Sequence, residues 1–451
     1  MIFFRITLKT WIIEPRNREI LLTKCVPYLP SLARVYKCTM LLRFNFYWIC
    51  FAFGISVLLI LAVTRYTDNT KHRSNPERPG NYNNFLTEEE QWNSPPVGSP
   101  NIDDILEETR VKIALELTNY NFTNSAAKNL RELLLESGGQ PLRSLVISTW
   151  RSGSTFLGDI LNAMPGNFYH FEPFMNVKAF QIRGPPEAEN ALTTVKALFK
   201  CDFDTFLRGY LEEYLRNKVT PWYQFKHNDR LWKHVKYNRD LFFDPMFTSS
   251  FCKLFPFQSM KLVRFRLRLV QDIMDDHELN VKVVLLVRDP RAVMQSRQGK
   301  GVEFCKKTSP DCSQPELLCA DMISDYIAAK KLQQQYPNRL MVLRMEDLSL
   351  EPKSMTLRLF KFLGLSMTAE VEQFLASHTT LQAGGAYDTF RVSRDVPFKW
   401  KNILHYEYVQ EIQMACKQAM ELWGYRLAHN ATHMTSKDFH PLDTFNYTRR
   451  S

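Results

Sequence analysis

The most constraining feature of the sequence is the apolar run Leu145-Val146-Ile147. It leads through Ser148 into the polar turn Thr149-Trp150-Arg151-Ser152-Gly153-Ser154-Thr155, after which Phe156, Leu157, Ile160, Leu161 and Met164 recur at helical spacing. Strand, turn and amphipathic helix in that order form the unit of a parallel sheet wrapped by helices. The order returns at Val283 to Val287, followed by Arg288-Asp289-Pro290 and a helix. It returns again at Leu340 to Leu343, followed by Glu346-Asp347-Leu348 and a helix through Leu363. The expected fold class is therefore α/β, an open parallel sheet flanked by helices, with its site at the carboxyl ends of the strands.

A turn between a buried strand and a helix lets successive backbone N–H groups converge on an anion. Here Gly153 permits the tight turn, Ser154 and Thr155 add hydroxyl donors, and Arg151 adds a fixed positive charge. The alternative for such a turn standing alone is an ordinary strand-to-helix connection with a helix cap. The nucleoside-triphosphate loop G-x-x-x-x-G-K-[ST] is not matched, because the Gly-Lys pair is absent and Arg151 precedes Gly153. A triphosphate site also needs an acidic residue for magnesium, whereas the strand at Val283 to Val287 ends in Arg288, which suits a second phosphate.

The surroundings agree with an anionic ligand. The chain has 451 residues, 45% of them hydrophobic, and a formal charge of +11, so it can bury a full core and still attract phosphates or acidic glycans. No basic run with interleaved aromatics and no zinc-finger or RNA-binding signature is present, so no nucleic-acid partner is expected.

Phe46 to Val63 is almost uninterruptedly apolar and is bounded by Arg43 and Arg65, which reads as a membrane anchor rather than a buried core helix. Lys and Arg outnumber Glu before it, so the N-terminus is expected in the cytosol and the remainder in a lumen, with Met1 or Met40 as the start. Cys201, Cys252, Cys305, Cys312, Cys319 and Cys416 form an even set that an oxidising lumen would pair. The sequons at Asn121, Asn430 and Asn446 function only in such a lumen. The expected organisation is a cytosolic tail over 1–45, a transmembrane signal anchor over 46–64, a luminal stem and leading helix over 65–140, with that helix around Ile105 to Leu135, a catalytic domain over 141–430, and a C-terminal tail over 431–451.

Thr149 to Leu157 resembles the 5′-phosphosulfate-binding loop of Golgi carbohydrate sulfotransferases, and Val287 to Ser296 resembles their 3′-phosphate-binding strand and helix. The similarity extends in pattern from about Arg143 to Tyr425 and is greatest to the galactose, N-acetylglucosamine and N-acetylgalactosamine 6-O-sulfotransferases. It implies a P-loop NTPase-like sulfotransferase fold and transfer of sulfate from 3′-phosphoadenosine 5′-phosphosulfate (PAPS) to chondroitin- or keratan-type glycans by a single-pass type II Golgi membrane protein. It also implies a donor site made of Thr149, Trp150, Arg151, Ser152, Gly153, Ser154, Thr155, Arg288 and Ser296. Two rival readings are a non-catalytic Golgi glycan-binding protein and a P-loop nucleotide phosphotransferase. A homodimer is one oligomeric option left open.

Arg151 is the expected stabiliser of charge on the departing phosphate, and arginine with backbone dipoles suffices for a sulfuryl group, so no metal requirement is expected. Glu172 is the candidate base for the acceptor hydroxyl, with a structural salt bridge as its alternative. His170 is the competing base, against a plainer role in the core. The alternating stretch from Lys261 through Arg264 and Arg266 to Arg268 would either grip an acidic glycan or form a solvated face. Trp400 would either stack on a ring of the ligand or pack in the core. The readings share one requirement: Arg151 and Arg288 must face a single nucleotide-sized cleft.

Overall fold

The computed structural model describes the backbone of residues 2–6, 9–16, 19–27 and 36–45. It also describes residues 101–445 except 176–178, 210–221, 237, 300–304, 306–308, 383–388 and 444. The expected anchor and the stem up to residue 100 lie outside the described residues, as does the Asn446 sequon. Among the described residues no helix is long and apolar enough to cross a membrane. The N-terminal segment forms strands β1 (Ile2–Ile6), β2 (Lys9–Arg16), β3 (Glu19–Pro27) and β4 (Tyr36–Asn45), an antiparallel sheet in that order that was not anticipated from the sequence. It belongs to a unit of its own.

The second unit opens with helix α1 (Ile102–Glu116), which Asn101 caps by accepting from the Asp103 N–H. The expected helix to Leu135 stops here. Beyond it, Thr118-Asn119-Tyr120-Asn121-Phe122-Thr123-Asn124 is rich in residues whose side chains compete for the backbone, and short 3₁₀ turns follow.

Five strands then form a parallel sheet: β5 (Leu142–Ile147), β6 (Asn167–Phe171), β7 (Phe257–Leu262), β8 (Lys282–Val287) and β9 (Leu340–Arg344), in the order β6-β7-β5-β8-β9. Strands β7, β8 and β9 are almost wholly buried, as runs covered on both faces must be. The helices that matter for the site are α2 (Ser154–Asn162), α3 (Asp229–Val235), α4 (Pro290–Arg297), α5 (Pro315–Gln335), α6 (Met345–Leu350), α7 (Pro352–Leu363) and α8 (Tyr406–Trp423).

Because β5 lies between β7 and β8, with Ile147 level with Leu262 and Leu285, the loops leaving these strands emerge side by side. Ser148 continues the central strand, its N–H donating to the Leu262 carbonyl (3.0 Å) and its hydroxyl to the Leu286 carbonyl (2.8 Å). The packed body runs past residue 430, since Phe439 and Leu442 are buried and Leu442 bridges Tyr425.

The ends of β8 and β9 are tied together by buried charge. The Glu346 carboxylate accepts from the Asp289 N–H (2.9 Å) and the Tyr425 hydroxyl (3.1 Å). Asp289 caps α4 through the Arg291 N–H (2.9 Å) and pairs with the Arg291 guanidinium (2.7 Å). Arg291 in turn bonds Gln413 (2.9 Å) and lies 4.1 Å from the centre of the Trp400 ring. Trp400 is fully buried under that guanidinium and so belongs to the core rather than to a ligand surface.

All six cysteines of this unit are paired, as Cys201–Cys252, Cys305–Cys312 and Cys319–Cys416, and the last pair joins α5 to α8. It closes a loop of 97 residues, so replacing both cysteines by Ser is expected to lower stability by about 2–5 kcal/mol, read from chemical denaturation with the other pairs intact. Burial first, and Asp289 second, push the Glu346 carboxyl up from 4.5 to about 7. The folded state therefore holds a proton that the unfolded chain releases in that interval, and stability falls as pH rises from 4.5 to about 7. Glu346→Gln should make this slope shallower without abolishing it, because buried Asp325, raised to about 6, contributes in the same direction, and paired urea titrations at pH 5 and pH 7 would read the difference.

Candidate active site

The loop after β5 is shaped by backbone geometry before any side chain acts. Gly153 has φ 83°, a left-handed conformation that favours glycine, and a Cβ there would lie 2.5 Å from the Met345 sulfur, so the Met345 side chain would have to shift. Arg151 (φ 72°) and Glu172 (φ 40°) also hold left-handed backbone. For non-glycine residues such geometry costs about 1–3 kcal/mol each and persists only where surrounding contacts dictate it. Two of the non-glycine residues in this region are thus the two expected to be catalytic.

The contacts that dictate it at Arg151 come from the second motif. One Arg288 guanidinium nitrogen donates to the Arg151 carbonyl (2.8 Å), and the Arg151 Nε donates to the Ser296 hydroxyl (3.1 Å). The structure thus brings Arg151, Arg288 and Ser296 together. Ser154 and Thr155 form the first turn of α2, where unpaired N–H groups and the helix dipole favour negative charge. Thr149 accepts from Arg297 (3.0 Å), which ties the loop to α4. Trp150 is buried beneath the loop, with the Arg264 and Arg297 guanidinium carbons 5.7 Å and 5.3 Å from its ring centre. Ser152 is buried, and its hydroxyl has no partner among the described residues.

Arg288 is 8% exposed. Asp289, the partner that a surface ion pair would need, is committed to Arg291, and Glu346 to Asp289 and Tyr425. What Arg288 does bond is two carbonyls, of Arg151 and Val396, while its Nε has no partner among the described residues. Burial accordingly pulls its pKa down. Arg297 shares this state: burial lowers its pKa to about 9 and its Nε is likewise unpartnered. Cations left this way at the end of a parallel sheet fit a bound anion.

Glu172, at the end of β6, has both oxygens occupied. Lys261 Nζ lies 2.7 Å from one and an Arg264 nitrogen 2.6 Å from the other. Burial alone would raise its pKa, but the two cations overcome this and hold it below the usual carboxylate range. The salt bridge weighed for this residue is therefore present. Lys261 also donates to the Thr155 hydroxyl (3.2 Å), connecting Glu172 to the anion loop. His170 sits among Phe168, Phe199 and Phe203, and burial pushes its pKa down to about 3, so it is a neutral core histidine.

The alternating basic stretch is corrected by the fold. Strand β7 ends at Leu262, and Lys261, Arg264 and Arg266 are buried against Glu172, Glu172 and Asp325 respectively. Only Arg268 faces solvent. The roles of Lys261, Arg297 and Met345 were not read from the sequence. Arg297 directly follows Ser296 and Met345 opens Met345-Glu346-Asp347-Leu348, but neither position by itself indicates contact with a loop some 150–190 residues earlier.

The chain matches the model of the sulfotransferase domain over residues 141–424. It is 29% identical to carbohydrate sulfotransferase 4 of Mus musculus, covering 64% of this chain and 83% of that one. It is 28% identical to carbohydrate sulfotransferase 3 of Homo sapiens, covering 65% and 69%. Among solved structures, the sulfotransferase domain from the Synechococcus PCC 7002 olefin synthase is similar at 18% identity and a TM-score of 0.36, covering 64% of this chain and 96% of that one. The matched region takes in β5 to β9, the anion loop and the Arg288 motif, and the chain belongs to the sulfotransferase domain family.

Proposed function

We propose that the chain transfers sulfate from PAPS to a carbohydrate hydroxyl, and that the acceptor is the 6-hydroxyl of galactose, N-acetylglucosamine or N-acetylgalactosamine in a chondroitin- or keratan-type glycan. The observation that carries the donor assignment is Arg288, a buried guanidinium held against the Arg151 carbonyl with no carboxylate bonded to it among the described residues. The names of the similar carbohydrate sulfotransferases support the glycan acceptor. Resemblance to the Golgi family, the Phe46 to Val63 stretch and the paired cysteines support a type II Golgi membrane placement with the catalytic unit in the lumen.

The residues fit the two anionic ends of the donor. Arg288 and Ser296 would hold the 3′-phosphate; Arg151, Ser154, Thr155 and the N–H groups opening α2 would hold the 5′-phosphosulfate. When bound, the donor supplies an activated sulfuryl group whose leaving group is a phosphate. Arg151, fixed at both its carbonyl and its Nε, stabilises the charge that develops on that phosphate without first having to reorganise. Lys261, bridging Thr155 and Glu172, adds a cation beside the same loop.

Full-length protein in detergent, given labelled PAPS and desulfated keratan and chondroitin, should label carbon 6 of the acceptor sugar. Label on nitrogen or on a secondary hydroxyl would overturn the 6-O assignment, and no label on any glycan would overturn the glycan reading. Arg288→Met should weaken binding of adenosine 3′,5′-bisphosphate by on the order of 100-fold while leaving the melting temperature near that of the wild type, because an apolar side chain replaces a buried charge. Calorimetric titration and thermal melts separate the two effects. Gly153→Ala should lower both stability, by about 1–3 kcal/mol, and nucleotide affinity, since the left-handed turn strains a residue with a Cβ and the Met345 side chain would have to move to make room for it.

A further inference from the structure

Trp150, the second residue of the anion loop, packs apart from the main core. Its side chain lies in a small cluster with buried Val263 and Cys312, against which Ala179 and Cys305 also pack. Both halves of the Cys305–Cys312 disulfide therefore line the wall on which the loop rests. The other two pairs have different surroundings: the sulfurs of Cys201 and Cys252 accept from the amide of Gln258 on β7, and Cys319–Cys416 joins α5 to α8.

The same wall carries a strut of hydrogen bonds. Arg297, at the end of α4, donates with one terminal nitrogen to the carbonyls of Asp311 (2.9 Å) and Cys312 (3.4 Å), and with the other to the Thr149 hydroxyl (3.0 Å). Its guanidinium carbon lies 5.3 Å from the centre of the Trp150 ring. Behind it, the Asp311 carboxylate accepts from the Gln181 N–H (2.8 Å) and pairs with Arg183. Successive residues of α4 thus grip the loop on either side of Trp150, Ser296 through Arg151 and Arg297 through Thr149. Because a guanidinium is a rigid planar fork, the place of the two carbonyls decides where the nitrogen facing Thr149 points.

We propose that the Cys305–Cys312 disulfide is a positioning element for the donor, holding Arg297 and Trp150 so that the loop from Thr149 to Thr155 keeps its anion-binding shape. The inference rests on the sulfotransfer reading above, which assigns this loop to the 5′-phosphosulfate. Two serine hydroxyls cannot approach as closely as two bonded sulfurs, so without the bond the wall beside Trp150 must open. The Asp311 and Cys312 carbonyls then move relative to the guanidinium fork, and the bond to Thr149 weakens. The disulfide spans a sequence separation of 7, against 97 for Cys319–Cys416, so it constrains the unfolded chain less and serves local geometry more.

The test compares full-length Cys305→Ser/Cys312→Ser with Cys319→Ser/Cys416→Ser, Thr149→Val and Thr149→Ser. Calorimetric binding of adenosine 3′,5′-bisphosphate, thermal melts and KM values are the readouts. Removing Cys305–Cys312 should weaken nucleotide binding by about tenfold, as loss of a hydrogen bond from a charged group does, and raise the KM for PAPS while the acceptor KM stays near wild type. Removing Cys319–Cys416 should lower the melting temperature more and leave nucleotide affinity unchanged. Thr149→Val should reproduce the affinity loss and Thr149→Ser should not. Adding Thr149→Val to Cys305→Ser/Cys312→Ser should cost little more, because both act through one strut. Wild-type affinity in Cys305→Ser/Cys312→Ser, an equal loss in Cys319→Ser/Cys416→Ser, or simple additivity with Thr149→Val would overturn the proposal. Should Cys305→Ser/Cys312→Ser fail to fold, Cys305→Ala breaks the bond while leaving the Cys312 sulfur in the wall, and it reads the same outcomes. If the wild type itself binds no adenosine 3′,5′-bisphosphate, it is the donor assignment made above that fails.

Discussion

The site depends on one hydrogen bond between two motifs far apart in the chain, from the Arg288 guanidinium to the Arg151 carbonyl at 2.8 Å. It holds Arg151 in a left-handed conformation that an isolated turn would rarely adopt. It also fixes a buried cation whose charge the nearby carboxylates do not neutralise by contact. Such a guanidinium costs the folded chain stability in the absence of an anion, and binding an anion offsets that cost. The parallel sheet makes the bond available, because β5 and β8 are neighbours and release their loops at the same edge.

Around this bond the buried carboxylates are sorted by what they touch. Asp289 neutralises Arg291, and Glu346 holds the turn after β8 in register with α6. Asp325 takes Arg266, and Glu172 takes Lys261 and Arg264. Basic residues that look interchangeable in a list of positive charges therefore do different work. Arg266 and Arg291 are ion-paired into the frame, while Arg288 and Arg297 have no carboxylate bonded to them among the described residues.

Much of this was legible in the residues. Strand β5, the glycine turn and α2 followed from an apolar run, a Gly-containing polar segment and a 3.6-residue period, and their observed bounds differ from the expected ones by only a few residues. Arg151, Arg288 and Ser296 were identified by their places in two motifs, and the structure joins them directly. The β7 segment was less legible, because alternation of Lys261, Arg264 and Arg266 with apolar residues describes a half-exposed strand as well as it does a buried one. What separates the cases is whether Glu172 and Asp325 arrive opposite, and those residues come from other elements. The long helix expected after Ile105 was overruled by asparagine-rich turns near Tyr120.

The sequence by itself determined the fold class and the order of the two motifs proposed to hold the donor, because periodicity, glycine and spacing act locally along the chain. Only the tertiary structure decided which cations remain available and which are taken up by carboxylates. Those properties depend on the distance between groups brought together by strand order, and on how far burial removes the water that would otherwise screen them.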